Sequence, residues 1–190
     1  MGIPTLIEAT RLVEKKLSTS LNGKVNVSTH TKLDEQILES VMAIDHAKFR
    51  QNLWYNRDEL RNRMNKAGFF CLILYLDCKP IAYDFGYEDE DEGVFFSNSS
   101  ATAIERKGVG TLLALLETVY LYEEGYSAVK FTTEELDQDG RPLRQIWENL
   151  GYRVIDVDAD NTVTMMLDVT KETVIERVKK HLPIENIADL

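Results

Sequence analysis

Two glycines, Gly108 and Gly110, stand where a polar stretch of the chain passes into an apolar one. The apolar pattern continues for about four helical turns and stops at Gly125, a residue type that commonly follows a helix end. The first amides of a helix have no partner within it, and the helix dipole adds partial positive charge there. Arg106 and Lys107 add full positive charges to the same turn. These residues predict a site for a phosphate group.

Two better-known phosphate motifs do not fit this segment. No third glycine follows at the spacing of the dinucleotide-binding fingerprint, and no Gly-Lys-Ser/Thr sequence completes a P-loop. Two glycines separated by one residue are common, so the pattern alone is also compatible with a loop that merely enters a helix. The order of the surrounding elements favours the phosphate site.

That order and two short segments resemble the GCN5-related N-acetyltransferases. The family's Arg/Gln-x-x-Gly-x-Gly/Ala motif starts a helix whose backbone amides hold the pyrophosphate of coenzyme A, and residues 105–110 read Glu-Arg-Lys-Gly-Val-Gly. The family also carries Tyr-x-x-x-Gly-Phe near the end of the next helix, where residues 147–152 read Trp-Glu-Asn-Leu-Gly-Tyr. Glu105, Trp147 and Tyr152 depart from the family pattern. The resemblance extends over roughly residues 25–169 in element order.

The resemblance implies an N-acetyltransferase that uses acetyl-CoA and a primary amine. It also implies that the strand before the glycine motif lies along the pantetheine arm. The residues predicted to bind the coenzyme are Ser100, Thr102, Arg106, Lys107, Gly108, Val109, Gly110 and Thr111. The acceptor is left open as a small metabolite, a peptide N-terminus or a protein lysine.

Acetyl transfer to an amine requires a proton acceptor, because an alkyl ammonium with a pKa of about 10 is charged at neutral pH. The candidates are Asp84, Glu134 and Glu135. Asp84 falls on a strand expected to line the cleft, and the two glutamates follow the strand after the central helix. Each is also compatible with an ordinary solvated or capping acid.

Trp147 stands where the family commonly has a tyrosine that protonates the departing thiolate. An indole N–H can donate a hydrogen bond but is not an acid at neutral pH. Core packing is therefore the simplest role for Trp147. Together with Glu105, it keeps open a second hypothesis, a non-catalytic acyl-CoA-binding or regulatory module on the same fold.

Hydrophobic spacing predicts the elements that would position these residues. Strands are expected at 24–29, 69–76, 81–87, 94–100, 128–132, 154–157 and 163–167. Helices are expected at 4–17, near Thr31 and Asn56, through the stretch that ends at Gly125, and at 140–150 and 171–182. The predicted class is α/β (α+β), with a mixed, mostly antiparallel central sheet and helices on both faces.

The chain is predicted to contain one domain. We assign residues 1–23 to an N-terminal helical extension, 24–169 to the N-acetyltransferase domain, and 170–190 to a C-terminal helix and tail. The extension is interpreted as a cap on the domain, a contact for a partner, or a loosely packed segment.

The 190 residues carry a formal net charge of −10. Such a protein is expected to bind neither nucleic acid nor an anionic membrane and to attract a cationic acceptor. The acidic run at 88–92 is interpreted as a solvated turn or as a lip that attracts this amine. No signal peptide is visible, and Cys71 and Cys78 indicate a reduced, cytoplasmic protein without a disulfide or metal site. A homodimer is left open.

Overall fold

In residues 2–137 and 140–183, which the computed structural model describes, seven strands and six α-helices follow the predicted order. The strands are β1 Val25–His30, β2 Phe70–Leu76, β3 Lys79–Glu88, β4 Val94–Thr102, β5 Ala128–Glu134, β6 Arg153–Val157 and β7 Thr162–Asp168. The helices are α1 Leu6–Leu21, α2 Glu35–Lys48, α3 Arg57–Met64, α4 Val109–Glu123, α5 Leu143–Asn149 and α6 Lys171–His181. A short 3-10 helix, Gln51–Leu53, joins α2 to α3.

These strands form one sheet in the order β1-β2-β3-β4-β5-β7-β6. Neighbouring strands are antiparallel except β4 and β5, which are parallel and are connected through α4. The predicted mixed, mostly antiparallel sheet is thereby confirmed. The final hairpin joins the sheet through β7, its second strand, so β6 lies at the edge.

Helices cover both faces of the sheet, as predicted. Helices α1, α4 and α6 share one buried cluster with strand residues such as Leu72. Helices α2 and α3 share the other cluster with Tyr83 and Phe85. Side chains alternate between the faces along β3, so Ala82 and Asp84 project toward α4. This alternation places the carboxyl group of Asp84 between the sheet and the central helix.

The N-terminal helix α1 belongs to this core. Thr5 and Glu8 form a capping box at its start. The helix ends at Leu21 rather than at the predicted residue 17, and Asn22 then takes a left-handed backbone conformation. Its buried residues are in the same cluster as α4: Ala9, Leu12, Val13 and Leu17. Among the interpretations of this segment, a cap on the domain is the one that the structure shows.

Several element boundaries differ from the prediction. Helix α2 begins after Asp34, whose carboxylate accepts a hydrogen bond from the backbone N–H of Ile37, and not at Thr31. Helix α5 begins only after Pro142, because proline suits the first turn of a helix but not its interior. Strand β5 continues to Glu134. The three-part division of the chain stays a prediction, and the tail after residue 183 lies outside the described residues.

Candidate active site

A large cavity lies where β4 and β5 separate. The two strands pair only over residues 94–96 and 128–130, although β4 continues to Thr102 and β5 to Glu134. Beyond this short ladder the strands diverge, and a cavity of about 620 Å³ opens between them. We call this cavity the cleft. Side chains from α2, β3, α4 and α5 complete its lining.

Strand β4 forms one wall of the cleft. Asn98 is an extra residue relative to β3, and the resulting β-bulge lies where β4 leaves β5. From Asn98 to Thr102, the backbone edge toward β5 is no longer paired with that strand. Its amides and carbonyls are therefore available to an extended ligand. Ser100 and Thr102, two predicted coenzyme contacts, line this wall.

The glycine motif forms the N-terminal end of α4 beside the cleft. Gly108 precedes the helix with a φ of 75°, and among the described residues no side chain caps this end. A β-carbon at Gly108 or Gly110 would meet no heavy atom within 4 Å. Open backbone, uncapped amides and the exposed side chains of Arg106 and Lys107 suit an anionic phosphate group. Glu105, immediately before them, lines the cleft, so the cleft reaches the residue that precedes the glycine motif.

Ion pairs join the two sides of the cleft at its mouth. Lys48 Nζ donates to Glu105 Oε1 at 2.6 Å, and Arg141 Nη1 donates to Glu105 Oε2 at 2.9 Å. Arg50 Nη2 donates to Glu134 Oε1 at 2.9 Å. The hydrogen bond and charge of Lys48, with the charge of Arg141, lower the pKa of Glu105. We call these contacts the mouth ion pairs.

Two acids lie at the floor of the cleft. Asp84 on β3 and Glu117 on α4 are each 3% exposed, and both line the cleft. Ser97 Oγ donates to Asp84 Oδ1 at 3.4 Å. Burial raises the pKa of Asp84 to about 7. Burial, and next the charge of Asp84, raises the pKa of Glu117 well above its ordinary value. We call these two groups the carboxyl pair.

An aromatic cluster forms the wall on the α5 side. Trp147 packs between Phe131, with ring centroids 4.6 Å apart, and Tyr152, with ring centroids 5.3 Å apart. All three side chains line the cleft. Burial raises the pKa of the Tyr152 phenol above its ordinary value, so this hydroxyl stays protonated at neutral pH.

A polar network forms the wall on the α2 side. Asp45, fully buried near the end of α2, accepts a hydrogen bond from the Tyr83 hydroxyl at 3.2 Å. The same hydroxyl lies 2.9 Å from Ser99 Oγ on β4. Burial raises the pKa of Asp45, while hydrogen bonds from Tyr55 and Tyr83 oppose the rise. This network fixes the wall opposite the aromatic cluster.

The arrangement of these elements matches solved N-acetyltransferases. The ribosomal-protein-S18-alanine N-acetyltransferase from Escherichia coli superposes with a TM-score of 0.62 at 13% identity, over 77% of this chain and 94% of that chain. The aminoglycoside 6'-acetyltransferase type Ii gives 0.65 at 12% identity, over 76% and 97%. The chain has the fold of the GCN5-related N-acetyltransferases.

Another structure with this N-acetyltransferase fold was solved in complex with coenzyme A. It is the PaiA N-acetyltransferase from Thermoplasma acidophilum, with a TM-score of 0.60 at 13% identity, over 75% of this chain and 99% of that chain. Neither a protein-family model nor a curated protein matches the sequence. Within the described residues, no helix combines the length and apolar character needed to cross a membrane.

Within this N-acetyltransferase fold, the predicted acids fall in three different places. Asp84 lies at the floor of the cleft and Glu134 at its mouth. Glu135 instead pairs with Arg144 at 2.9 Å, outside the cleft lining. Of the predicted coenzyme residues, Ser100 and Thr102 line the cleft, whereas those at 106–111 follow directly after Glu105 and are not part of its lining.

The acidic run at 88–92 does not form a lip at the cleft. Lys130 Nζ donates to Asp89 at 2.8 Å and to Asp91 at 2.9 Å, beside the end where β4 and β5 are still paired. No residue of the run belongs to the cleft lining. The interpretation as a lip is therefore wrong, because the turn lies at the closed end of the strand pair.

Sequence reasoning missed three cleft acids, which are Asp45, Glu117 and Asp137. Glu117 had a visible signal, since it is the one charged residue between Val109 and Tyr122 in an otherwise apolar helix. An acid on the buried face of a helix requires a partner or a function. Asp45 had no such signal, because its neighbours at the end of α2 mix polar and apolar residues.

Proposed function

We propose that this protein is an acetyl-CoA-dependent N-acyltransferase that transfers an acetyl group to a primary amine. The observation that carries the proposal is an open cleft that reaches Glu105, close to an uncapped helix end where two glycines leave open space. A long ligand with a phosphate-bearing end and an extended arm matches both parts. The solved structures of the same fold, which include a coenzyme A complex, support this choice.

The coenzyme is expected to bind by backbone contacts. Its pyrophosphate would lie on the amides of residues 107–111, with Arg106 and Lys107 supplying charge. The arm would lie along β4 at Ser100 and Thr102, where the strand edge is unpaired. Acetyl-CoA, a thioester, would supply the activated acyl group. A β-carbon at either glycine would project into the space that the phosphates require.

Among the three predicted bases, Asp84 has the surroundings that suit proton transfer. A general base works best when its pKa lies near the working pH, and burial brings the pKa of Asp84 to about 7. Glu134 is held by Arg50 at the mouth, and Glu135 is held by Arg144 outside the cleft. We therefore assign the role of base to Asp84, with Glu134 and Glu135 as the alternatives to be tested beside it.

The acceptor is expected to be a cationic amine. The net charge of −10 and the acids that line the cleft favour a positively charged approach. A small metabolite, a peptide N-terminus and a protein lysine all meet this description.

Two residues favour a second candidate, a non-catalytic acyl-CoA-binding module. Glu105 places a negative charge beside the expected phosphate site, although Lys48 and Arg141 hold it. Trp147 provides no acid for the departing thiolate. Such a module would bind the coenzyme with the same residues but transfer nothing.

Coenzyme binding is tested by calorimetry with acetyl-CoA on the wild-type protein and on Gly110→Trp. The indole should fill the phosphate site and abolish binding, while circular dichroism shows an unchanged fold. Gly2→Trp is the matched control, because a side chain at Gly2 also meets no atom within 4 Å. Absence of binding by the wild-type protein at millimolar coenzyme would contradict both candidates.

Transfer is tested by release of the free thiol from acetyl-CoA in the presence of a panel of amines. The panel should include polyamines, amino sugars, peptides with free N-termini and lysine peptides. Thiol release that depends on one amine class supports the enzyme and identifies its acceptor. Tight coenzyme binding without thiol release for any amine would support the binding module instead.

A further inference from the structure

The carboxyl pair differs from the acids at the mouth of the cleft in its lack of ion-pair contacts. Among the described residues, neither Asp84 nor Glu117 takes part in an ion pair, whereas Glu105 and Glu134 both do. The one hydrogen bond to Asp84 comes from Ser97 and is long, at 3.4 Å. Both side chains are nonetheless 97% buried and still line the cleft.

Burial makes it costly for both members of the pair to be charged at once. A lone buried carboxylate is disfavoured, and a second negative charge nearby in a medium of low dielectric constant is disfavoured more. The pair therefore holds one negative charge and one proton over a range of pH around neutrality. The pKa shifts of the two acids agree with this description. The charge of Asp84 raises the pKa of Glu117, so Asp84 loses its proton first.

The groups that surround the pair do not neutralise it. Cys71 on β2 belongs to the cluster on the other face of the sheet, and burial, followed by the charge of Asp84, raises the pKa of its thiol. Tyr152 stays protonated for the same reason. Arg177 on α6 is 5% exposed and lowers the pKa of Glu117 by its charge, but less than burial raises it. The guanidinium lies over the Tyr152 ring and donates to the backbone carbonyl of Leu150.

The inference rests on the proposed transferase function. We propose that the carboxyl pair divides the proton transfers of the reaction, with Asp84 as the base and Glu117 as the acid. Two acids whose surroundings separate their protonation states are the usual source of such a division. Glu117 would thereby supply the proton that Trp147 cannot.

The protons balance in this scheme. The ammonium N–H bond breaks, its electron pair stays on nitrogen, and the proton bonds to the Asp84 carboxylate. The amine then forms the C–N bond as the C–S bond breaks, and the Glu117 O–H proton bonds to the departing sulfur. The second proton of the amine leaves to water. Transfer of one proton from Asp84 to Glu117 restores the starting pair.

The first test needs no substrate. In the protein labelled with carbon-13 at its carboxyl groups, NMR titration should show Asp84 ionising near neutral pH and Glu117 ionising at higher pH. Asp84→Asn should lower the pKa of Glu117, because a negative charge is lost. Glu117→Gln should remove the upper titration and leave that of Asp84 nearly in place. Titration of both acids in the ordinary carboxyl range would overturn the proposal.

The second test measures the pH dependence of thiol release with a good amine. Loss of general acid or base catalysis typically costs about 10² to 10⁴ in rate. Asp84→Asn and Glu117→Gln should each lower kcat by this amount, and Glu117→Gln should abolish the fall of the rate at high pH. Coenzyme affinity should be unchanged, and Glu117→Asp should restore part of the rate. Glu176→Gln, an exposed acid on α6, is the control.

The outcomes separate this inference from the proposed function. If the wild-type protein releases no thiol with any amine, both the transferase function and the roles of Asp84 and Glu117 in proton transfer are wrong. If the wild-type protein is active and Glu117→Gln keeps its rate and pH profile, the transferase function stands, and only the proposed proton-transfer roles of the carboxyl pair are wrong. If either variant fails to fold, the wild-type titration decides by itself.

Discussion

The mouth and the floor of the cleft place the same residue types under opposite conditions. At the mouth, Glu105 and Glu134 are partly exposed and paired with cations. At the floor, Asp84 and Glu117 are buried, and no ion pair involves them in the part of the chain that the structure describes. Water and a cation stabilise a carboxylate, whereas burial favours the neutral acid. Position in the cleft, rather than residue type, thus decides which of these acids have a raised pKa.

The acids at the mouth and those at the floor also contribute differently to the stability of the fold. An exposed ion pair contributes only about 0–1 kcal/mol, because water already stabilises its charges. A buried acid without a cation costs free energy whenever it ionises. Substitutions at the floor should therefore change stability and activity in a pH-dependent way, and substitutions at the mouth should change both little.

Loss of an acid at the floor is expected to have the largest effect. Burial raises the pKa of Asp84 from 3.8 to about 7, so its protonated form stabilises the fold at low pH. This contribution is lost as the pH rises through about 7. Relative to Asp84→Asn, the wild-type protein should lose roughly 2–3 kcal/mol of unfolding free energy between about pH 5 and pH 8, as measured by urea unfolding. An equal free-energy difference at both pH values would contradict the burial argument.

The next largest effect is expected when substitutions at Trp147 and Glu117 are combined. If Glu117 supplies the proton, Trp147→Tyr alone should leave turnover unchanged or raise it, since the acid is already present. In the Glu117→Gln background, the same substitution should raise turnover at least about tenfold, because a phenol can donate a proton and an indole cannot. Thiol release by the four proteins measures this. A large loss in Trp147→Tyr, with fold and coenzyme affinity intact, would show that the indole itself shapes the acyl site.

A smaller effect, on coenzyme affinity, is expected when the ion pairs of Glu105 at the mouth are removed. Glu105→Gln removes a negative charge beside the proposed phosphate site and releases Lys48 and Arg141 from their ion pairs with Glu105. Coenzyme affinity should rise by about two- to fivefold at low salt and by less at high salt, as expected for screened charges. Calorimetry at two salt concentrations measures this. Glu39→Gln, which breaks a comparable ion pair with Arg57 on α3, is the control, and an equal gain there would point to net charge alone.

The smallest effects are expected at Glu134 and Glu135. Each has a side chain that is about half accessible to solvent and is paired with an arginine. The Gln variants should therefore change unfolding free energy by less than about 0.5 kcal/mol and turnover by less than about threefold. Urea unfolding and pH–rate profiles measure both quantities. A fall of about 10² in rate with a shifted pH profile in either variant would assign the role of base to that glutamate instead of Asp84.

The sequence by itself determined the local structure and predicted a phosphate site. Side-chain spacing indicated each strand and helix, because the neighbours that form these elements lie within a few residues. The prediction for Gly108 and Gly110 also depended only on neighbouring residues, since both glycines and the start of α4 belong to one turn. The sequence also indicated the two faces of β3, which place Asp84 on the side of α4.

The tertiary structure decided which acids meet. Asp84 on β3 and Glu117 on α4 meet only because α4 packs across the sheet where β4 leaves β5. The ion pair of Glu134 depends in the same way on the place of Arg50 after α2. Burial and charge depend on neighbours distant in the sequence, and these neighbours are brought together by packing. The sequence therefore named candidate acids, whereas the fold separated those held by cations in water from those buried without them.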